Sequence, residues 1–116
     1  MNLRENFDPN DIAFHDPERK GIFIHKNQLE KSQFRTGDRF SLRKGKNQLF
    51  SITIIKDIAG NIFFDKNGIF IERSRKIDML LGGIFEKYAI YLESDIPDSI
   101  KLRPLDIVQD MDSQWT

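Results

Sequence analysis

The chain has 116 residues, no cysteine and a formal net charge of zero. This length is expected for one domain, and the lack of thiols excludes disulfides, thiolate metal sites and cysteine nucleophiles. Residues 1–18 carry one basic and five acidic side chains, residues 19–87 carry fifteen and seven, and residues 88–116 carry two and six. A basic central region between acidic ends favours an anionic partner.

Short runs rich in isoleucine and phenylalanine, each bounded by turn residues, predict β-strands along the whole chain. In chain order they are DIAF, GIFI, RFSL, LFSITII, NIFF, GIFI, YAIYL and SIKLRPL. In LFSITII, Phe50, Ile52 and Ile54 alternate with Ser51 and Thr53, which predicts a strand with one solvent-exposed face. The Asn-Gly pair of DKNG predicts a tight hairpin, because it supplies the positive φ that primed turns need.

Two segments between the strands have helical features. NQLEKSQ begins with Asn27 as a candidate N-cap and has Glu30 three residues later, a weak capping box. RSRKIDMLLGG has Ser74 as a candidate N-cap, Ile77, Leu80 and Leu81 on one face, and a glycine pair that ends it. Each segment therefore predicts a helix of one or two turns.

The tetrapeptide GIFI occurs at Gly21 and again at Gly68, and the elements around it recur in the same order. Residues 11–57 and 61–107 each read as strand, strand, short helix, strand, strand, although two GIFI strands can also coincide by chance. One unit has too little core to stand alone, whereas two interlocked units can close a barrel without exposed edges. The predicted fold is mostly β: one domain, residues 1–116, forming a small barrel built from two β-β-(short α)-β-β repeats, with an acidic tail at residues 108–116.

The repeated unit resembles the swapped-hairpin domain of the AbrB/MazE (SpoVT-AbrB-like) family of DNA-binding regulators and antitoxins. Residues 65–71 (DKNGIFI) are similar to the first part of the family motif, and residues 22–38 are similar to the rest, although Ile22 and Ile69 stand where the family has arginine. That family usually builds its barrel from two chains, so a tandem copy implies a pseudo-dimer, with a homodimer as a further possibility. The resemblance implies DNA contacts from basic residues around the hairpins and crossovers: Arg19, Lys20, Lys26, Lys66, Arg73, Arg75 and Lys76.

Two shorter resemblances imply other partners. Residues 22–29 (IFIHKNQL) are similar to the nucleic-acid-contacting strand of cold-shock domains with OB-like barrels, which implies base stacking on Phe23 and His25. Residues 34–40 (FRTGDRF) are similar to a stretch of small phage head–tail joining proteins, which implies a structural adaptor that binds protein.

Another basic cluster follows from the residue pattern around RFSL. Arg35 precedes this run, and an extended strand would place Arg39 and Arg43 on one face, opposite Phe40 and Leu42. Such a face suits a phosphate backbone. Edge-strand charges that discourage aggregation are the alternative interpretation.

No catalytic constellation is visible in the sequence. His15 and His25 lack a metal-ligand spacing, and the chain has neither a G-x-S-x-G elbow nor a glycine-rich phosphate loop. We therefore expect no enzymatic activity, no cofactor and no metal site. The first residues lack an apolar signal region, and no run reaches the roughly 20 residues of a membrane span, so we expect a cytoplasmic protein without membrane attachment.

These observations predict a non-enzymatic nucleic-acid-binding or regulatory module that uses the basic clusters, with DNA favoured. The alternative is a protein-interaction or assembly module, for example a phage structural adaptor or inhibitor, whose basic clusters meet an acidic protein partner.

Overall fold

The computed structural model describes residues 8–43, 50–92 and 96–108. Within these ranges the chain forms eight strands that close into an antiparallel barrel, in the order β1-β2-β6-β5-β3-β4-β8-β7. The strands are β1 (Ile12–Asp16), β2 (Gly21–His25), β3 (Arg39–Leu42), β4 (Ile52–Lys56), β5 (Ile62–Asp65), β6 (Gly68–Glu72), β7 (Lys87–Tyr91) and β8 (Ser99–Pro104). The predicted fold class, a small mostly-β barrel, is confirmed. Apart from Val108, the predicted acidic tail lies outside the described residues.

The helices are short, and each half of the barrel has one between its two hairpins. Helix α1 (Arg75–Leu81) follows β6, begins at the predicted N-cap Ser74 and ends at Gly82 with a left-handed φ of 83°. The Ser74 hydroxyl accepts the N–H of Ile77. Two 3-10 turns are also present, Pro9–Asp11 before β1 and Lys26–Leu29 after β2, and residues 105–108 after β8 are helical. None of the helices within the described ranges is both long and apolar enough to cross a membrane.

The cap of the second 3-10 turn differs from the prediction. The turn begins two residues earlier than expected, so its N-cap is His25 and not Asn27. Nδ1 of His25 accepts the N–H of Asn27, and Oε1 of Gln28 accepts the N–H of His25. These two bonds form a capping box at His25 and Gln28, whereas the sequence predicts one at Asn27 and Glu30.

Strand pairing relates the two halves of the barrel by an approximate two-fold axis. The corresponding strands β2 and β6 pair with each other, with Phe23 opposite Phe70. The corresponding strands β4 and β8 also pair, with Thr53 opposite Lys101. In both pairs a residue faces its own counterpart in the other half, so the axis passes through these two positions. The two remaining junctions, β1 with β7 and β5 with β3, are counterparts of each other.

The barrel interior is filled mainly by isoleucine from alternate strand positions, with Phe40 and Tyr88 among the fully buried rings. One predicted pattern is wrong, because Ser51 and Thr53 are only 6% and 4% exposed. Strand β4 contacts α1 as well as its neighbours β3 and β8. This additional packing accounts for the burial of a face that the alternating pattern assigned to solvent.

The DKNG hairpin is present, but its turn differs from the predicted type. Asp65 lies opposite Gly68, and the positive φ of 140° is at Gly68, not at the two turn residues before it. Oδ1 of Asp65 accepts the N–H groups of Asn67 and Gly68. The aspartate therefore supports the turn without a left-handed asparagine.

Candidate nucleic-acid interface

A line of phenylalanines crosses the outer face of the barrel at the two-fold axis. Phe14 on β1 lies opposite Phe23 on β2, and Phe23 lies opposite Phe70 on β6. The register of β6 with β5 continues this line to Phe63. Phe14 and Phe63 are 54% and 51% exposed, and the two central rings are partly exposed. We call these four residues the phenylalanine row.

A cation stands at each end of the phenylalanine row. Lys87 on β7 lies opposite Phe14, and Arg39 on β3 lies opposite Phe63. Cζ of Arg39 lies 4.7 Å from the Phe63 ring centroid, within the range of a cation–π contact. Lys87 and Arg39 are counterparts in the two halves. The two-fold axis therefore relates phenylalanine to phenylalanine within the row and cation to cation at its ends.

Arg19 covers the centre of the row and breaks this symmetry. Its Cζ lies 4.1 Å from the Phe70 ring centroid and 5.5 Å from that of Phe23. The long turn of residues 17–20 between β1 and β2 carries Arg19, whereas only residues 66–67 connect β5 to β6. The shorter turn has no residue at the corresponding position.

The three cations of the row form no ion pair among the described residues, where the ion pairs join Lys56 to Asp38 and Arg73 to Asp78. Their positive charge is therefore available to an external anion. One of these cations, Arg39, affects the pKa of a neighbouring carboxyl group, that of Asp57. The pKa of Asp57 lies below its usual value, mainly because its carboxylate accepts the N–H of Ala59 and the Ser41 hydroxyl, with a smaller contribution from Arg39.

Two grooves at counterpart positions flank the row. The first is lined by Asn10, Phe14, Phe23, His25, Asn27 and Gln28. At corresponding positions the second has Phe63, Phe70, Glu72 and Ser74, and Arg19 and Arg73 also line it. Each groove is lined by two phenylalanines of the row. The polar groups differ, because the imidazole of His25 in the first groove corresponds to the carboxylate of Glu72 in the second.

In the first groove, Nε2 of His25 is the hydrogen-bond donor of the neutral imidazole ring. Because Nδ1 accepts the N–H of Asn27 at 3.1 Å, the proton of the neutral ring is on Nε2. Nε2 has no hydrogen-bond partner among the described residues, and the side chain is exposed. The ring also makes an edge contact with Phe23, with centroids 6.0 Å apart.

Of the predicted basic residues, Arg19 and Arg39 are the two whose side chains contact the row. The side chain of Arg73 instead donates from Nε to the Asp78 carboxylate at 2.9 Å, which offsets its charge. Lys20 lies in the same turn as Arg19, and its carbonyl accepts the N–H of Arg73. Lys20, Arg73 and Arg75 line one shallow groove beside α1.

The other five predicted residues are exposed and make no side-chain hydrogen bond or ion pair with the described part of the chain. They are Lys26 in the 3-10 turn, Arg35 and Arg43 on either side of β3, Lys66 in the β5–β6 turn and Lys76 in α1. The structure therefore gathers only part of the predicted basic set around the aromatic surface.

Sequence reasoning identified Phe23 and His25 but missed Phe14, Phe63, Phe70 and Lys87. The local signal was present, because each phenylalanine of the row occupies a strand position adjacent to inward-facing residues and so points outward. The missing information was the pairing of four strands from both repeats, which no local pattern supplies.

Comparisons with known proteins found no matching protein-family model, no similar curated protein and no similar solved structure. The resemblance to AbrB/MazE domains therefore stays a prediction. Within the described residues, no group of histidine and carboxylate side chains is arranged to hold a metal ion.

Proposed function

We propose that this protein is a non-enzymatic nucleic-acid-binding module that contacts unpaired bases through the phenylalanine row. The observation that carries this proposal is a row of four outward-facing rings with a cation at each end and Arg19 over its centre. Aromatic faces stack on any base, with about 1–3 kcal/mol lost per base when the aromatic residue is replaced by alanine. Basic side chains beside the rings attract the phosphates.

The row favours single strands over duplex. In a duplex the base faces are stacked on one another, and phenylalanine has no hydrogen-bonding group to read base edges in a groove. The duplex mode implied by the AbrB/MazE resemblance would use the basic hairpins and crossovers instead. At the second crossover Arg73 is already paired with Asp78, which weakens that mode.

A protein partner is the second candidate, favoured by the same exposed rings. Aromatic and arginine side chains are enriched at the energetic centres of protein interfaces, and contiguous exposed apolar surface often marks such a site. Glu72 in the second groove would meet a basic group of a protein partner but would repel a phosphate. This candidate corresponds to the interaction or assembly module considered from the sequence.

The test is fluorescence anisotropy with labelled single-stranded DNA, single-stranded RNA and duplex DNA of one sequence, from low to physiological salt. The informative variant is Phe14→Ala combined with Phe63→Ala, because both rings are half-exposed. The matched control is Phe50→Ala, which removes a ring of similar exposure, 42%, from outside the row. Circular dichroism would establish that each variant is folded.

We expect single strands to bind more tightly than duplex, with affinity that falls as salt rises. The double variant should bind about 100-fold more weakly, since each lost stacking contact corresponds to about a tenfold change, and Phe50→Ala should bind normally. Equal affinities of wild type and double variant would refute the assignment of the row. No binding to any nucleic acid at low salt would refute the function and direct attention to a protein partner.

A further inference from the structure

The phenylalanine row presents two separate exposed rings and one central cation. Phe14 and Phe63 are each about half-exposed, whereas Arg19 covers the central pair. We infer that the row holds two bases of one strand, one on Phe14 and one on Phe63, and that Arg19 binds the phosphate backbone between them. This inference rests on the proposed function and names the ligand as a short single strand.

The Phe70 ring lies close to the barrel backbone at Gly21. A Cβ added to Gly21 would lie 2.3 Å from Cζ of Phe70, so the Phe70 ring occupies the space above this glycine. Arg19 then lies over Phe70 and Phe23. A base approaching the centre of the row would meet a guanidinium before an aromatic face.

Arg19 is suited to an oxyanion in this position. Stacking on a ring leaves the N–H groups at the edge of the planar guanidinium free to donate, and this edge matches a phosphate. Among the described residues Arg19 has no ion-pairing carboxylate, unlike Arg73 with Asp78. The Asp16 carboxylate at the start of its turn accepts the backbone N–H groups of Glu18 and Arg19.

The separation of the outer rings fixes the length of the ligand. Neighbouring strands are about 4.8 Å apart, so three spacings place Phe14 roughly 14 Å from Phe63 along the row. Nucleotides in a stacked strand are about 3.4 Å apart, so this distance corresponds to about four steps. Four steps join five nucleotides through four linkages, so the two middle linkages lie on either side of the axis, where Arg19 is the central cation.

The test uses oligothymidylates from dinucleotide to hexanucleotide, each with a fluorescent label, in anisotropy titrations at low salt. A second series uses the shortest oligothymidylate that binds strongly. Each member of this series has one phosphate replaced by a neutral methylphosphonate linkage, at a different position in each member. The protein variants are Arg19→Ala, Arg19→Lys and, as a control, Lys31→Ala, which removes an exposed cation outside the row and outside the predicted basic clusters. Circular dichroism again monitors folding.

We expect affinity to rise steeply up to a length of about five nucleotides and then to level off, because four steps separate the first and fifth bases and both rings are then occupied. Arg19→Ala and a neutral central linkage, at one of the two middle positions, should each weaken binding about tenfold, as expected for one charge-assisted hydrogen bond. Combining them should cause little further loss, because both remove the same contact. Arg19→Lys should lie between Arg19→Ala and wild type, and Lys31→Ala should match wild type.

Two other outcomes separate this inference from the proposed function. If Phe14→Ala and Phe63→Ala weaken binding but Arg19→Ala and the central neutral linkage do not, the central phosphate site is refuted and the stacking function stands. If no oligothymidylate binds, and RNA and mixed-sequence DNA also fail to bind, both proposals are refuted.

Discussion

Replacing Gly68 by alanine tests how closely the two halves must approach at the end of the β2–β6 pair. Gly68 lies at the end of the β2–β6 pair, opposite His25, with a φ of 140°. An added Cβ would lie 2.0 Å from the carbonyl oxygen of Ile24, a main-chain atom that cannot retreat without opening the strand pair. We expect a loss of about 4 kcal/mol in the free energy of unfolding, from about 1–3 kcal/mol of backbone strain and a similar cost for overpacking. This is a large part of a typical total of about 5–15 kcal/mol.

Two other glycines separate these contributions to the loss at Gly68. Gly37 has a φ of 102° but no atom within 4 Å of an added Cβ, so Gly37→Ala measures the backbone strain alone. Gly21 lacks a positive φ, but its Cβ would lie 2.5 Å from the carbonyl oxygen of Ile71, the counterpart of Ile24, so Gly21→Ala measures the overpacking. Urea denaturation followed by circular dichroism gives all three values. If Gly68→Ala costs no more than Gly37→Ala, close approach of the strands is not the reason for this glycine.

Three further predictions concern a helix cap and two titrating groups. Ser74→Ala should lower stability by about 1 kcal/mol in urea denaturation, because it removes the N-cap of α1, and Ser74→Asp should restore most of the loss. Burial raises the pKa of Tyr88, so its contribution to stability is complete below about pH 10 and is lost as pH rises through the folded-state pKa. Tyr88→Phe should remove part of this alkaline loss in denaturation series above neutral pH, and it should also cost about 1–2 kcal/mol near pH 7, because the N–H of Phe85 loses its acceptor. The pKa of Asp57 is lowered, chiefly by the N–H of Ala59, so its contribution is present above about pH 4 and is lost as pH falls through the folded-state pKa. Asp57→Asn should therefore flatten the acid side of the stability curve, and an unchanged acid side would contradict this assignment.

Much of the fold could be predicted because its determinants are local. The isoleucine- and phenylalanine-rich runs correspond to strands, and Ser74 and Gly82 bound α1 as their capping preferences indicate. The order of elements around the two GIFI segments indicated a barrel of two units. The central pair β2 and β6, which those two segments form, joins one unit to the other.

The predictions from sequence were wrong where tertiary contacts or less common local hydrogen bonds determine the structure. Thr53 is a polar residue at an alternating strand position, yet packing around β4 buries it. His25 is not among the preferred N-cap residues, but its Nδ1 replaces the side-chain oxygen that Asn27 was expected to supply. In the DKNG hairpin the positive φ is at Gly68, and Asp65 accepts the N–H groups of Asn67 and Gly68.

The candidate site could not be predicted because the axis, and not the local sequence, assembles it. Phe14 and Phe23 lie outward on one hairpin, and the two-fold relation brings their counterparts Phe63 and Phe70 into the same line. A repeat with two outward aromatic positions thus produces a continuous row of four when its units pair across the axis. Symmetry alone accounts for the rings but not for Arg19, because the longer turn that carries it occurs in only one half. The asymmetric residue is therefore the sharper test of function, since the barrel's symmetry does not require a cation over the central pair.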